Sequence, residues 1–490
     1  MSGSAPRPAL RSRKRPPQWR QINFPTRGIR QLIPLPSRPI RQRARDVWDR
    51  VRVVVRSPVL WGLAAVWLAA WHQWWGAAAA AASLSFLFFV FRPQIRELEM
   101  RPEYDFGTDS AEFLSTMSGL TGVPLVGGNR ITVYNNGDEF YPAMLEAIAA
   151  AQYSVTMEQY IFTSGMVGRR FAEAFAERAS KGVTVKLLVD AVGGAGIGGD
   201  LVRRMTEAGC QLRWFHPIRW YNLHRVNNRN HRKSLILDGR TAFTGGAGLQ
   251  DHWQGTARNA SEWRDVQIRI DGPGMVPLQT GFATNWLETT GEALTGPRYF
   301  PVPEPAGEVE VQTVLSSPKG DLFTASILYS LGILCARKSI LIANPYFVPG
   351  PRTLELMEDA VERGVSIKAM IAGESTDAWL ARANSVRLHG KIVEAGVELY
   401  EYLPTMLHQK TMIVDDLWAA IGTANFDNRS FRLNEESVVC LYDPFLVDQL
   451  RDTFEADLEQ CRRVDLERWR RRGLTTRVGE RIAALLQDQV

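Results

Sequence analysis

Two stretches of this 490-residue chain carry the same arrangement of side chains. NHRKSLILDGRTAFTGGAG, residues 230–248, and LHQKTMIVDDLWAAIGTAN, residues 407–425, each place a Lys two positions after a His and an Asp five positions after that Lys. With seven His in the chain, and Arg outnumbering Lys about fivefold, two copies in register are not an accident of composition. A repeat constrains a fold more tightly than a single motif does. Each copy must be one structural unit, and the two units must pack against one another.

The copies close two longer series. IAAAQYSVTMEQYIF (148–162) parallels ILCARKSILIANPYF (333–347), ERASKGVTVKLLVD (177–190) parallels DAVERGVSIKAMIA (359–372), and EAGCQLRWF (207–215) parallels EAGVELYEY (394–402). Each piece reads as a helix end, a Gly-containing turn and a short β-branched run, the pattern of βα units around a sheet. The expected body is a duplicated α/β structure, with one lobe over residues 129–295 and a second over 308–462. The Pro-rich GPRYFPVPEPAG (296–307) joins them. Residues 93–128 read as a linker, and 463–490 as a basic tail ending in an amphipathic helix, either a membrane-surface foot or a solvated end.

Charge is distributed unevenly. Residues 1–56 hold 14 Arg and one Lys against Asp46 and Asp49, a net +13, so the rest of a chain whose total is +6 carries −7. A basic arm on a mildly acidic body suits an anionic surface beside the arm and argues against a nucleic-acid groove on the body. Between Arg56 and Arg92 lies SPVLWGLAAVWLAAWHQWWGAAAAAASLSFLFFVF, 35 residues without Asp, Glu, Lys or Arg. One helix of that length would run about 50 Å, too long for a hydrocarbon core of about 30 Å. Broken at HQWWG, where Trp74 and Trp75 suit an interfacial belt and Gly76 a turn, it becomes two short spans. Arg-rich flanks then put both ends in the cytoplasm: a two-helix anchor over 57–92 behind a basic cytoplasmic arm over 1–56. A single tilted helix is the alternative, and would separate arm from body.

The four Cys are scattered, with no C-x-x-C, which fits inert thiols in a reducing compartment and neither a disulfide scaffold nor a zinc site. GGAGIGG (193–199) contains G-x-G-x-x-G, but no acidic residue lies between Glu207 and Asp238 to hold a ribose. It reads as a flexible Gly-rich loop and not as a dinucleotide site. RWFHPIRWYNLHRVNNRN (213–230) mixes Arg with Trp214, Phe215, Trp220 and Tyr221, either to rest on lipid headgroups or as an ordinary packed loop.

Read as a strand, HRKSLILDG sends His231 and Lys233 to one face, with Asp238 on the other and Asp238-Gly239 as a hairpin turn. The second copy repeats this with His408, Lys410 and the bend at Asp415-Asp416. Brought together across a pseudo-two-fold, the copies make one site with two imidazoles and two ammonium groups. Two Lys can neutralise a phosphodiester without a metal. One His can attack phosphorus while the other protonates the departing alkoxide and then activates the acceptor.

The chain resembles the phospholipase D superfamily, whose motif is H-x-K-x4-D-x6-G-[SGT]-x-N in two copies, and within it the bacterial cardiolipin synthases. NHRK, FTGG, WRD (263–265), NPYFVP (344–349), HQKTMIVDD and GTANFDNRSFRLNEE (422–436) carry the likeness. It implies duplicated phospholipase D-type lobes with a pseudo-two-fold active site, preceded by an N-terminal transmembrane hairpin. The implied catalytic set is His231, Lys233, Asp238, His408, Lys410 and Asp415, with Asn425 on phosphate and no metal or cofactor. An acidic partner is implied for each His: Asp265 follows His231 in its half, and Glu436 follows His408 in the other. Asp238 and Asp415, on the far face and in turns, read as structural members of the motif. One departure stands out, because Gly248 occupies the place that Asn425 holds in the second copy. A neighbour such as Gln250 is a candidate to offset it.

The implied activity is phosphatidyl transfer at the bacterial cytoplasmic membrane, from one phosphatidylglycerol to another through a phosphohistidine, giving cardiolipin and glycerol. By family habit the nucleophile is His231. Hydrolysis or transfer to another lipid is the nearest alternative. A weakly active lipid-binding protein is more distant, with Gly248 as its support, and anionic phospholipids rather than nucleic acid are the expected partners.

Overall fold

The computed structural model describes residues 58–70, 74–91, 100, 105–218, 227–318, 323–376 and 379–473. The basic arm, residues 219–226 of the Arg- and aromatic-rich loop, and the chain end from 474 lie outside the described residues.

The uncharged stretch forms two helices that pack on each other, α1 (Pro58–Ala70) and α2 (Trp74–Phe91). At 1.5 Å per residue they run about 20 and about 27 Å. Among the described residues no helix is long and apolar enough to cross a membrane.

The stretch expected to be a linker contains a third helix, α3 (Ala111–Thr121), capped by the Ser110 hydroxyl, which accepts from Phe113 N at 3.1 Å. Phe113 and Met117 are buried in the second lobe's core, Phe113 edge-on to Trp418 at 6.0 Å. Thr108, just ahead of it, donates to Asp415 at 2.6 Å. This segment is therefore part of the second lobe although it precedes the first in sequence. Apolar residues at 113, 114 and 117, one helical face, were the available signal.

The first lobe then runs β1 (Val126–Asn135), α4 (Gly137–Ala150), β2 (Ser154–Gln159), α5 (Met166–Ser180), β3 (Thr184–Asp190), α6 (Gly199–Glu207), β4 (Gln211–Phe215), β5 (Ser234–Leu237), β6 (Thr241–Gly245), β7 (Val266–Asp271) and α7 (Val276–Thr290). The second repeats the order: β8 (Val309–Ser316), α8 (Thr324–Cys335), β9 (Ser339–Ala343), α9 (Pro351–Glu362), β10 (Ser366–Ala372), α10 (Trp379–Glu394), β11 (Glu398–Tyr402), β12 (Thr411–Val414), β13 (Trp418–Gly422), α11 (Asn428–Arg432), β14 (Glu436–Leu441) and α12 (Pro444–Leu458). A last strand, β15 (Cys461–Arg463), and helix α13 (Leu466–Arg470) dock the start of the basic tail onto this lobe, where the Trp469 indole donates to Val386 O at 2.7 Å.

The strands join in one sheet whose order shows the duplication directly. From the antiparallel contact of β1 with β8 it reads β1-β7-β6-β5-β2-β3-β4 one way and β8-β14-β13-β12-β9-β10-β11 the other, with β15 added at that edge. In each arm three parallel strands lie next to an antiparallel hairpin. The pseudo-two-fold passes between β1 and β8. Each lobe has its own apolar core, and a third cluster joins them, with Met275, Leu278, Phe282 and Trp286 of the first lobe and Leu446, Val447 and Leu450 of the second.

The motif aspartates do not reach the site, and this corrects their place in the catalytic set. Asp238 and Asp415 open the hairpin turns at φ of +54°, and the residue after each, Gly239 or Asp416, is also at positive φ, as a type I′ turn requires. The Asp238 carboxylate accepts the backbone N–H of Gln152, Tyr153 and Ser154 at 2.6–2.9 Å. Asp415 accepts those of Arg337, Lys338 and Ser339 at 2.6–3.0 Å. Each ties its hairpin to the start of the neighbouring parallel strand, β2 or β9. The motif's third residue is thus engaged in holding register.

The Gly-rich 193–199 stretch begins as a short 3-10 turn over Gly193–Gly196, with Gly194 buried. A Cβ on Gly194 would lie 2.2 Å from Val189 Cγ1, so the turn sits on the end of β3 only because no side chain is there.

Candidate active site

Each motif begins in the extended segment before its strand, and this backbone decides which acid meets which His. Glu435 N donates to Arg229 O (2.9 Å) and His231 N to Glu435 O (3.0 Å), a parallel bridge between lobes. The mirror bridge joins Arg264 N to Met406 O (2.9 Å) and His408 N to Arg264 O (2.7 Å). The residue after each bridge is the acid. His231 Nδ1 therefore lies 2.9 Å from Glu436 Oε1, and His408 Nδ1 lies 2.8 Å from Asp265 Oδ2. The partners are crossed between lobes, whereas sequence order had suggested pairs within each half. Neighbourhood in sequence misled because the site forms at a seam that the chain crosses twice.

All of these groups are buried, and for His231 burial is the largest influence on protonation. It pushes the His231 imidazole down to about 4; Lys233 and Lys410 add to that effect and Glu436 opposes it. Burial alone would raise Glu436 and Asp265, but their His partners and the adjacent lysines hold both carboxyls below the ordinary range. A carboxylate only accepts, so the proton of His231 sits on Nδ1 and the lone pair on Nε2. Asn230, just before His231, is pinned through its side chain to Glu158 (2.9 Å) and through its N–H to Asp190 (3.0 Å).

The two lysines turn back on their own motifs. Lys233 Nζ donates to His231 O at 2.9 Å, and Lys410 Nζ to His408 O while lying 3.0 and 3.2 Å from the His408 ring nitrogens. Burial also pushes Lys233 down, to about 7, with Lys410 adding to the fall and Glu436 resisting it. An anion between the lysines would relieve both effects. Lys233 must be charged to hold phosphate, so activity is present below its pKa and lost above it. In the free enzyme kcat/KM for a phosphodiester is expected to decline as pH rises through about 7. The corresponding limb in kcat should lie higher, because bound phosphate restores the charge. A pH series with K233R, whose guanidinium does not titrate, should lack the limb; its persistence would assign it to another group.

Asn425 is buried, and its side-chain oxygen has no protein partner among the described residues. Its counterpart Gly248 sits tightly: a Cβ there would lie 3.0 Å from both the Trp253 ring and Ile161 Cβ, close enough that one of them would have to shift. Gln250 enters the network through its carbonyl, which accepts from the Tyr141 hydroxyl at 3.2 Å.

The sequence reading missed the aromatic walls. Tyr160 stands edge-on to His231 at 5.2 Å, while Trp253 and Trp263 flank His408 at 5.1 and 5.6 Å. It missed two ion pairs at the seam as well, Arg232–Glu435 at 2.7 Å and Arg264–Asp457 at 2.8 Å. The order "WRD" and "NEE" held that signal, a charged residue just before each acid.

Two pseudo-symmetric lobes, with a His-x-Lys pair from each converging on a seam, define a phospholipase D-type centre. Among solved structures the chain is similar to a phosphatidylserine synthase from Haemophilus influenzae Rd KW20, with TM-score 0.59 and 14% identity over 77% of this chain and all of that one, a likeness of fold. Residues 144–260 and 332–458 match the family described as cardiolipin synthase, PLD-like domain. The chain is 34% identical to cardiolipin synthase 2 of Bacillus anthracis over 72% of its own length and 69% of that relative. To cardiolipin synthase A of Pseudomonas entomophila it is 32% identical over 81% of each. The chain belongs to the cardiolipin synthase family.

Proposed function

We propose that this chain is a membrane-anchored phosphatidyltransferase that makes cardiolipin and glycerol from two molecules of phosphatidylglycerol. The observation that carries the reading is the pair of imidazoles, each held at Nδ1 by a carboxylate of the opposite lobe with a buried Lys beside it. His231, neutral and with Nε2 unprotonated, attacks phosphorus. The bond to the glycerol oxygen breaks, and His408 gives that oxygen a proton. His408 then takes the proton of a hydroxyl on the second phosphatidylglycerol, whose oxygen displaces His231 and closes the new phosphodiester. Lys233, Lys410 and Asn425 hold the phosphate oxygens throughout. One phosphodiester is exchanged for another, so no nucleotide is needed to drive transfer. The names of the relatives support this substrate class.

Both substrates are bilayer lipids, which favours an anchor. Support for it comes from the uncharged stretch and from Leu63, Val66, Trp67, Trp74 and Trp75, all exposed on α1 and α2. As a hairpin that enters the bacterial cytoplasmic membrane and returns, they would keep the lobes and the basic arm on the cytoplasmic side beside anionic lipid.

The test is the purified protein in detergent with phosphatidylglycerol as the only lipid and no nucleotide. Cardiolipin and glycerol in equal amounts are expected. Phosphatidic acid without cardiolipin would make the protein a hydrolase, and binding to anionic vesicles without turnover would make it a lipid-binding protein.

A further inference from the structure

The two acid partners are held differently, and the difference accounts for the motif's missing Asn. In the second lobe Glu436 receives the Thr423 hydroxyl in addition to His231. Thr423 follows β13, and the residue in that place after β6 is Gly246. A side chain there is excluded, because a Cβ would lie 2.2 Å from Asp265 Oδ1. Asp265 nevertheless has a side-chain donor. The Trp253 indole N–H reaches Asp265 Oδ2 at 2.8 Å, on the same oxygen that takes His408 Nδ1, while Oδ1 accepts Val266 N at 2.8 Å. Trp253 is fully buried. It can lie there because Gly248 yields the space: any Cβ at 248 would press on its ring. In the second lobe the place of Trp253 is taken by Ser430, whose hydroxyl instead accepts from the backbone N–H of Asn425 at 3.1 Å.

We propose that Trp253 is a positioning residue for the His408–Asp265 pair, doing for Asp265 what Thr423 does for Glu436, and that Gly248 is the concession that admits it. One lobe keeps a phosphate-facing Asn and a hydroxyl on its acid. The other gives up the Asn for an indole that fixes its acid and, with Trp263, walls the imidazole that carries the proton. The Asp265 carboxylate is locked at both oxygens, so His408 keeps one tautomer and one orientation. The inference rests on the assignment of proton transfer to His408 and of attack to His231.

That assignment supplies a test a packing defect would not pass. A p-nitrophenyl ester of phosphatidic acid has a leaving group that departs without a proton. Forming the phosphohistidine from it requires His231 but not His408, and a burst of p-nitrophenol reports that step alone. W253F, which removes the N–H and keeps a ring, is expected to slow phosphatidylglycerol turnover roughly tenfold or more, through kcat rather than KM, and to leave the burst rate within about threefold. T423V acts on the nucleophile's side and should slow both substrates alike. Rates are compared for variants whose circular dichroism and thermal midpoint match the unaltered protein. If W253F does not meet that criterion, G248A, which crowds the indole without removing it, carries the test with the same expectation. Equal slowing of both substrates by the variant tested would overturn the proposal. H408A separates the two levels. A retained burst in H408A upholds the assignment of roles, and its loss would reject that assignment whatever W253F does.

Discussion

Replacing His231 by alanine should end phosphatidyl transfer, lowering turnover on the order of 10⁴-fold or more, because the group that forms the covalent bond is gone. Replacing His408 should cost less, on the order of 10²- to 10⁴-fold, since it removes proton transfer and leaves the nucleophile in place. The qualitative difference matters more than the factors. With phosphatidyl-labelled substrate, protein denatured in alkali should retain label in the unaltered enzyme and in H408A, and not in H231A. Label in H231A would reverse the assignment. The crossed pairing adds a sharper expectation. E436Q should behave as a weaker H231A and D265N as a weaker H408A, although each acid lies in the sequence half of the other His. If the acids followed their own halves, the seam geometry would be wrong.

That crossing marks where sequence reading stops. The duplication was legible because two series of βα fragments and two motifs recur in one order, and the sheet repeats that order strand for strand about β1 and β8. The lysines and histidines were legible because an extended backbone puts positions 231 and 233, or 408 and 410, on one side. Which carboxylate serves which imidazole depends on pairing between segments 205 and 143 residues apart, for which no local pattern exists. Helix α3 escaped for the same reason: its apolar face was readable, but its partner, the core around Trp418, lies three hundred residues on. Gly248 was read as a lost donor because a motif is read one column at a time. The compensating group, Trp253, lies outside the motif and acts on Asp265 rather than on phosphate.

Removing Arg264 should cost about 3–5 kcal/mol of stability, the largest loss expected from one substitution outside the catalytic groups. Arg264 is buried, and its guanidinium donates to Asp457 (2.8 and 3.0 Å), to Asn135 and Asn136 (3.1 Å each) and to Asp265 O (3.0 Å). It thereby binds α12 of the second lobe to the end of β1 in the first. Burial already raises the Asp457 carboxyl, with Arg264 opposing the rise and Gln409 assisting at 3.2 Å. Without Arg264 the carboxyl is raised further. A group whose folded pKa lies above its unfolded one binds protons more tightly when folded, so its stability contribution falls as pH climbs between the two values. The deficit of R264A in urea unfolding should accordingly be greater near pH 8 than near pH 5. Removing both charges together distinguishes the cause. R264M/D457L leaves no unpaired buried ion and should recover most of the loss, with no growth of the remainder with pH. A double variant as weak as R264A would mean that the hydrogen bonds to Asn135, Asn136 and Asp265, and not the charge pair, hold the lobes at the seam where the two histidines meet.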